Sequence, residues 1–145
     1  MIHSLLQRLL ATTPSPLPEP ESHLAFAALM VRIARTDGLY AAEEVEKIDK
    51  VLMQHFGLDP FAAQHLRAAA EDLETAAPDT VRFTRALKAA TPLEHRAALV
   101  QSLWSIALAD GHRDPSEDQQ LRLLANLLGL SDVESANARH RAEQQ

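Results

Sequence analysis

The chain has 145 residues, enough for one domain with its own hydrophobic core, and 46% of them are hydrophobic and 23% charged. A net charge of −6 opposes binding to nucleic acid, and the absence of Cys excludes disulfides, thiolate metal sites and cysteine nucleophiles. These features predict a single globular domain in the cytoplasm with no nucleic-acid partner.

The N-terminal region differs in character from the rest of the chain. Residues 1–11 predict a short amphipathic helix, because Gln7 and Arg8 interrupt the apolar run that a signal peptide needs. Residues 12–21 carry proline at alternate positions and predict a stiff, extended linker. The domain proper then covers residues 22–142. No segment reaches the roughly 18 apolar residues of a transmembrane helix, although peripheral association with a membrane stays open.

The remaining sequence predicts an all-α bundle of about seven or eight helices in one domain, since no stretch combines apolar–polar alternation with β-branched residues. The first helix is apolar on nearly every face and should be central. Asp59 and the strings at 91–94 and 131–134 predict helix caps, and Gly57 predicts a helix end. After the N-terminal helix, the predicted helices cover about residues 22–36, 42–56, 60–76, 79–90, 92–109, 115–128 and 132–140.

An internal repeat is the most informative pattern. Ile33-Ala34-Arg35-Thr36-Asp37-Gly38, followed by Glu44, recurs as Ile106-Ala107-Leu108-Ala109-Asp110-Gly111, followed by Glu117, at a constant spacing of 73 residues. Each copy predicts a helix, an acidic loop, a helix, a Gly stop and a third helix. The copies cover about 24–75 and 97–142 and are joined by the helix near 79–90. They predict two pseudo-symmetric halves around one core.

The acidic loops are candidate cation sites. Their spacing matches only the back half of an EF-hand, because Ile33, Arg35, Ile106 and Leu108 stand where the first ligands should be. A looser site is still open, since carboxylate oxygens suit a divalent cation such as calcium or magnesium. The candidate ligands are Asp37, Glu44, Asp110 and Glu117, with Glu43 and Asp114 secondary.

The same acids have a structural interpretation. Glu117 follows Asp114 by three residues, which predicts a helix cap. The capping explanation is weaker for Glu44, because Ala41 lacks a side-chain acceptor. Outside the acids, the seven His are scattered without ligand spacing, and His112 is more readily a solvated loop residue than a ligand. No catalytic fingerprint is present.

The duplicated Ile-Ala-x-x-Asp-Gly motif, with Glu44 and Glu117, resembles the TerB family of tellurite-resistance proteins over about residues 22–142. Residues 29–34 and 124–130 support the resemblance. It implies a compact all-α fold with two pseudo-symmetric halves and no established catalytic activity. Family members are tied to tellurite resistance, stress and phage defence, with proposed roles in ion or ligand sensing and protein assembly, often near the membrane. Asp37, Glu44, Asp110 and Glu117 carry over as the suspected metal site, although Ala41 stands where the second loop has Asp114.

Three functional hypotheses follow. The first is a non-enzymatic module that binds a partner protein and a divalent cation at the acidic loops, and the second is a metal-free adaptor. In the second, the N-terminal helix and linker tether the domain or dock a partner. An uncharacterised enzyme is the third.

Overall fold

The protein is described by a computed structural model over residues 5–7, 19–36, 40–76, 80–109 and 115–144. These residues form seven α-helices and no strand, and residues 5–7 are also helical, so the all-α prediction is confirmed. In chain order the helices are α1 (Glu19–Ala34), α2 (Ala42–Phe56), α3 (Pro60–Ala76), α4 (Thr80–Ala90), α5 (Leu93–Ala107), α6 (Pro115–Leu127) and α7 (Asp132–Glu143).

Helix α1 lies at the centre of the bundle. From Leu24 to Ala34 every residue except Arg32 is buried, and α1 packs against α2, α3, α4, α5 and α6. A helix that is apolar on all faces can bury them only when other helices surround it. The central position predicted for this helix is therefore confirmed.

The two halves are built alike. Helix α1 packs on α3 as α5 packs on α7, and α4 contacts α1 of the first half and α6 of the second. Residues 73 positions apart share the core: Met30 with Leu103, Ile33 with Ile106, and Ile48 with Leu121, all buried. After the second helix of each half the spacing becomes 72, which relates Gly57 to Gly129 and Asp59 to Ser131.

Most helix ends follow the predicted chemistry. Gly57 adopts a left-handed conformation (φ 66°) at the end of α2, and its N–H donates to the Met53 carbonyl. The Ala62 N–H donates to Asp59 Oδ1 (2.7 Å) at the start of α3. At α7, Glu134 N–H donates to Ser131 Oγ (3.2 Å) and Ser131 N–H donates to Glu134 Oε1 (3.0 Å), completing the capping box.

The capping box predicted at residues 91–94 is wrong. Helix α5 begins at Leu93, so Pro92 occupies the N-cap position and no side chain caps the helix. Thr91 therefore lies one residue too early to reach the free N–H groups of the first turn. Its carbonyl instead accepts a hydrogen bond from Arg96 Nε (3.1 Å).

The N-terminal segment contributes to the core. Leu5 is completely buried in the same hydrophobic cluster as the helices of the bundle, and Leu6 packs against that cluster. The proposed linker over 12–21 lies outside the described residues except for its last three positions. Those positions belong to α1, which begins at Glu19. Pro20 is tolerated there because it lies in the first helical turn, where an N–H group would have no partner within the helix.

Candidate functional site

The candidate site is the pair of junctions where α2 and α6 begin. Glu44 and Glu117 both occupy the third position of their helix, and both are buried, at 0% and 2% exposure. Glu43 is exposed beside Glu44. The other predicted ligands, Asp37, Asp110 and Asp114, lie outside the described residues, as does His112.

Glu44 has a defined structural role at its junction. Its Oε1 accepts a hydrogen bond from the Ala41 N–H (3.1 Å), one half of a capping box. The sequence suggested weaker capping here because Ala41 has no acceptor. The acceptor is Glu44 itself, which bonds back to the residue before the helix.

Burial strengthens the interactions of the Glu44 and Glu117 carboxylates with nearby charges and dipoles. A carboxylate near a helix N-terminus is stabilised by the free N–H groups and the helix dipole, whereas its removal from water is unfavourable. A cation bound at the adjoining loop would interact with such a carboxylate through a medium that screens charge less than water does.

The described residues do not by themselves make a metal site. Among them, no group of three or more His, Asp or Glu side chains is arranged to hold an ion. A site at either junction would therefore have to combine Glu44 with Asp37, or Glu117 with Asp110 and Asp114, and these sets stay predictions.

A groove of about 530 Å³ lies between residues that flank both acidic loops. One wall is the start of α2, which follows the first loop, and another is the end of α5, which precedes the second. Burial and the neighbouring Lys50 lower the pKa of Lys47 on this wall. The groove is lined by Glu43, Glu46, Lys47, Lys50, Ser105, Leu108, Ala109, Ala142 and Glu143.

The equivalent place in the other half holds larger side chains. At the positions equivalent by the repeat to Ser105, Leu108 and Ala109 of the groove, the first half has Arg32, Arg35 and Thr36. Arg35 Nη1 donates to Glu74 Oε2 (2.9 Å), and Thr36 Oγ1 donates to Gln120 Oε1 (2.5 Å). The repeated scaffold therefore carries different surfaces at its two equivalent positions.

Three histidines line a second cavity of about 270 Å³ between α1, α2, α4 and α5. His23 stacks on Phe56 with ring centroids 3.8 Å apart, and His55 stacks on Phe26 at 5.4 Å. Burial lowers the pKa of His55, and the charges of His23 and His95 lower it further. Sequence spacing gives no sign of this cluster, because each histidine comes from a different helix.

The family comparison is decisive for classification. The family model described as tellurite resistance protein TerB matches residues 23–140. The chain belongs to the TerB family. The resemblance drawn from the repeated motif is thus confirmed, and the TerB match runs from α1 into α7, across both junctions. No curated protein and no solved structure matches the chain.

In the part of this TerB-family chain that the structure describes, no helix combines the length and the apolar character required to cross a bilayer. The predicted protein partner and cytoplasmic location stay predictions.

Proposed function

We propose that this TerB-family protein is a non-enzymatic module that binds a partner protein and holds a divalent cation, such as calcium or magnesium, at its acidic junctions. Cytoplasmic stress signalling is the setting that we propose for it, by analogy with the family. The observation that carries the cation proposal is the burial of Glu44 and Glu117 at the same position of both junctions.

The geometry and the charge of the two junctions both support a bound cation. Each buried glutamate directly follows a loop that contains an Asp-Gly pair, and the second loop adds Asp114. Hard divalent cations prefer several carboxylate and carbonyl oxygens, which a short loop before a helix can supply. Cation binding would bring the loop acids together with the buried carboxylate, so the ion would change the surface that the loops present to a partner.

Calorimetric titration tests the cation proposal directly. The wild-type protein is titrated with calcium, magnesium, manganese and zinc, and so is the double variant Asp37→Asn/Asp110→Asn. We expect saturable heat from at least one hard cation in the wild type and none in the variant. The control Asp72→Asn/Glu94→Gln removes the same charge from exposed positions on α3 and α5 and should bind like the wild type. No heat in the wild type would overturn the cation proposal.

A metal-free adaptor is the second candidate, and exposed apolar side chains favour it. Phe61 and Val133 are 71% and 70% exposed, and they occupy equivalent positions near the starts of α3 and α7. Aromatic residues such as Phe61 are enriched in protein interfaces, and Val133 extends the apolar surface at the equivalent position. Their recurrence in both halves gives the adaptor two similar contact points.

Affinity capture distinguishes these contact points from incidental exposure. The Phe61→Ser/Val133→Ser variant should lose a protein that the wild type retains from cell extract, in the presence of a chelator. The control Gln64→Ser/Asn137→Ser changes exposed polar positions on the same two helices and should retain it. Equal retention by both variants would contradict an interface at Phe61 and Val133.

A further inference from the structure

A third cavity, of about 330 Å³, lies among α5, α6 and α7 and shares no lining residue with the groove or with the cavity of the histidine cluster. Its lining combines two arginines, two acids, an indole ring and small residues. They are Trp104, Asp118, Gln119, Arg122, Asp132, Ser135, Ala136 and Arg139. The internal repeat provides a direct comparison for this cavity, because the first half has an equivalent place.

In the first half, a carboxylate fills that place. Arg67 on α3 donates from Nε to Asp49 Oδ1 (2.6 Å) and from Nη1 to Glu71 Oε2 (3.1 Å). The side chains of Arg67 and Asp49 are 19% and 17% exposed, so their contact is largely shielded from water. A charge-assisted bond in such surroundings is stronger than one on an open surface.

In the second half the arginine is kept and the carboxylate is replaced. Arg139 corresponds to Arg67 and Glu143 to Glu71, but Arg122 stands where the first half has Asp49. Arg139 Nε is inaccessible to solvent and has no hydrogen-bond acceptor among the described residues. Arg139 is nevertheless ion-paired with Glu143, whose Oε1 lies 3.5 Å from Nε, and its Nη2 lies 3.5 Å from His140 Nε2.

The neighbours of Arg139 hold its guanidinium beside the cavity. The guanidinium carbon lies 5.7 Å from the centroid of the Trp104 ring. The Trp104 Nε1–H in turn donates to Ser135 Oγ (3.3 Å) in the buried wall. The Arg139 side chain is 23% exposed although its Nε is not, so the ends of the guanidinium can be reached, and an arginine presents its N–H groups in a geometry that suits a carboxylate.

We propose that this cavity binds a small carboxylic acid, whose carboxylate pairs with the terminal N–H groups of Arg139 in the half of the molecule that lacks a counterpart of Asp49. The apolar part of the acid would lie against Trp104 and Ala136. The volume is at the small end of the range for ligand pockets, which limits the ligand to a compact molecule.

The other charges around the cavity favour a singly charged ligand. Asp118 and Asp132 also line it, and Arg122 Nη2 donates to Asp132 Oδ2 (2.7 Å). That pair is 67% and 52% exposed, so water screens it and a ligand can compete with it. The two aspartates would repel a doubly charged phosphate more strongly than a monocarboxylate.

Titration with benzoate, observed by ¹H–¹⁵N NMR, tests the proposal. Trp104 is the only Trp in the sequence, so its single indole N–H signal reports on the cavity. At constant ionic strength, benzoate should produce a saturable shift of this signal, with a dissociation constant on the order of 1 mM. A wild-type indole signal that does not shift, or that shifts equally with sodium phosphate, would overturn the proposal.

The variant Arg122→Asp supplies the sharpest comparison, because it restores to the second half the carboxylate that the first half has. We expect benzoate affinity to fall at least tenfold. The control Arg85→Asp makes the same charge change at an exposed position on α4 and should bind benzoate like the wild type. Unchanged affinity in Arg122→Asp would contradict the proposed carboxylate position.

The source of the carboxylate is distinguished by a second titration. Benzoate stands for a free metabolite-sized acid, and an acetylated, amidated tripeptide with a central Glu stands for a protein side chain. Binding by either supports the proposal and identifies the source, whereas a failure of both overturns it. The cation titrations do not depend on this cavity, so the two proposals can fail separately.

Discussion

At the scale of single residues, Glu44 combines a structural role with a proposed binding role. Its bond from the Ala41 N–H requires an oxygen acceptor, whereas cation binding requires negative charge. These requirements can be separated chemically, because Gln retains the acceptor and lacks the charge. The distinction matters for both junctions, since Glu117 lies in the equivalent buried position.

The double variant Glu44→Gln/Glu117→Gln is therefore expected to lose cation binding while keeping most of its stability. Glu44→Ala should lower the free energy of unfolding by about 1 kcal/mol, because it removes a capping acceptor. Urea denaturation measures stability, and calorimetry measures cation binding. If the Gln variant binds the cation as the wild type does, Glu44 and Glu117 stabilise the fold and their charge does not contribute to cation binding.

His55 introduces a pH dependence at the same scale. Burial and the charges of His23 and His95 lower its pKa in the folded protein, and Phe26 and Phe56 supply only ring contacts. The unfolded chain therefore binds this proton first as the pH falls. The stability that neutral His55 provides is fully present above its unfolded pKa of about 6.5 and is lost as the pH drops through the lower folded value.

His55→Gln tests this dependence because Gln cannot take up the proton. Between pH 7.5 and pH 5, the variant should lose less stability than the wild type does, as measured by urea denaturation at each pH. His65→Gln alters an exposed histidine on α3, outside the cavity, and should leave the wild-type pH profile unchanged. Identical profiles for His55→Gln and the wild type would contradict the assignment.

At the scale of helices, capping chemistry determines where each helix begins. Ser131 and Glu134 form both reciprocal bonds at α7, and Asp59 caps α3 from the equivalent position. Ser131→Ala removes an acceptor from the first turn of α7 and should lower the free energy of unfolding by about 1 kcal/mol. Chemical denaturation measures the loss. Thr91→Ala is the matched control, because Thr91 does not cap α5, and its effect should be close to zero.

The helices could be predicted from local sequence, whereas the contacts on their surfaces depend on how the helices pack together. Gly57 and Asp59 mark boundaries through backbone rules that act over a few residues. The strings at 91–94 and 131–134 share the same pattern, but α5 begins at Leu93 with Pro92 as its N-cap, one residue later than the pattern predicts. The burial of Glu44 was not predictable from its spacing alone. The position of Arg122 and Arg139 around one cavity was not predictable either, because both features depend on contacts between helices.

At the scale of the whole molecule, duplication preserves the core and varies the surface. Buried positions such as Ile33 and Ile106 keep their character, because replacing core volume is destabilising. Partly exposed positions such as Asp49 and Arg122 carry opposite charges in the two halves. One half can therefore serve as a reference for the other when a polar contact is present in one and missing in the other.

The N-terminal segment belongs to this whole-molecule arrangement, and the adaptor hypothesis that treats it as a tether depends on how firmly it packs. Leu5 is completely buried in the common core, whereas Gln7 is exposed. Leu5→Ala should lower the free energy of unfolding by about 2 kcal/mol or more, because it removes buried apolar volume. Gln7→Ala should change it by less than about 0.5 kcal/mol. If urea denaturation finds both variants equal to the wild type, the segment is available to dock a partner. A loss confined to Leu5→Ala would show that the segment stabilises the bundle, and a partner would then have to compete with the core for it.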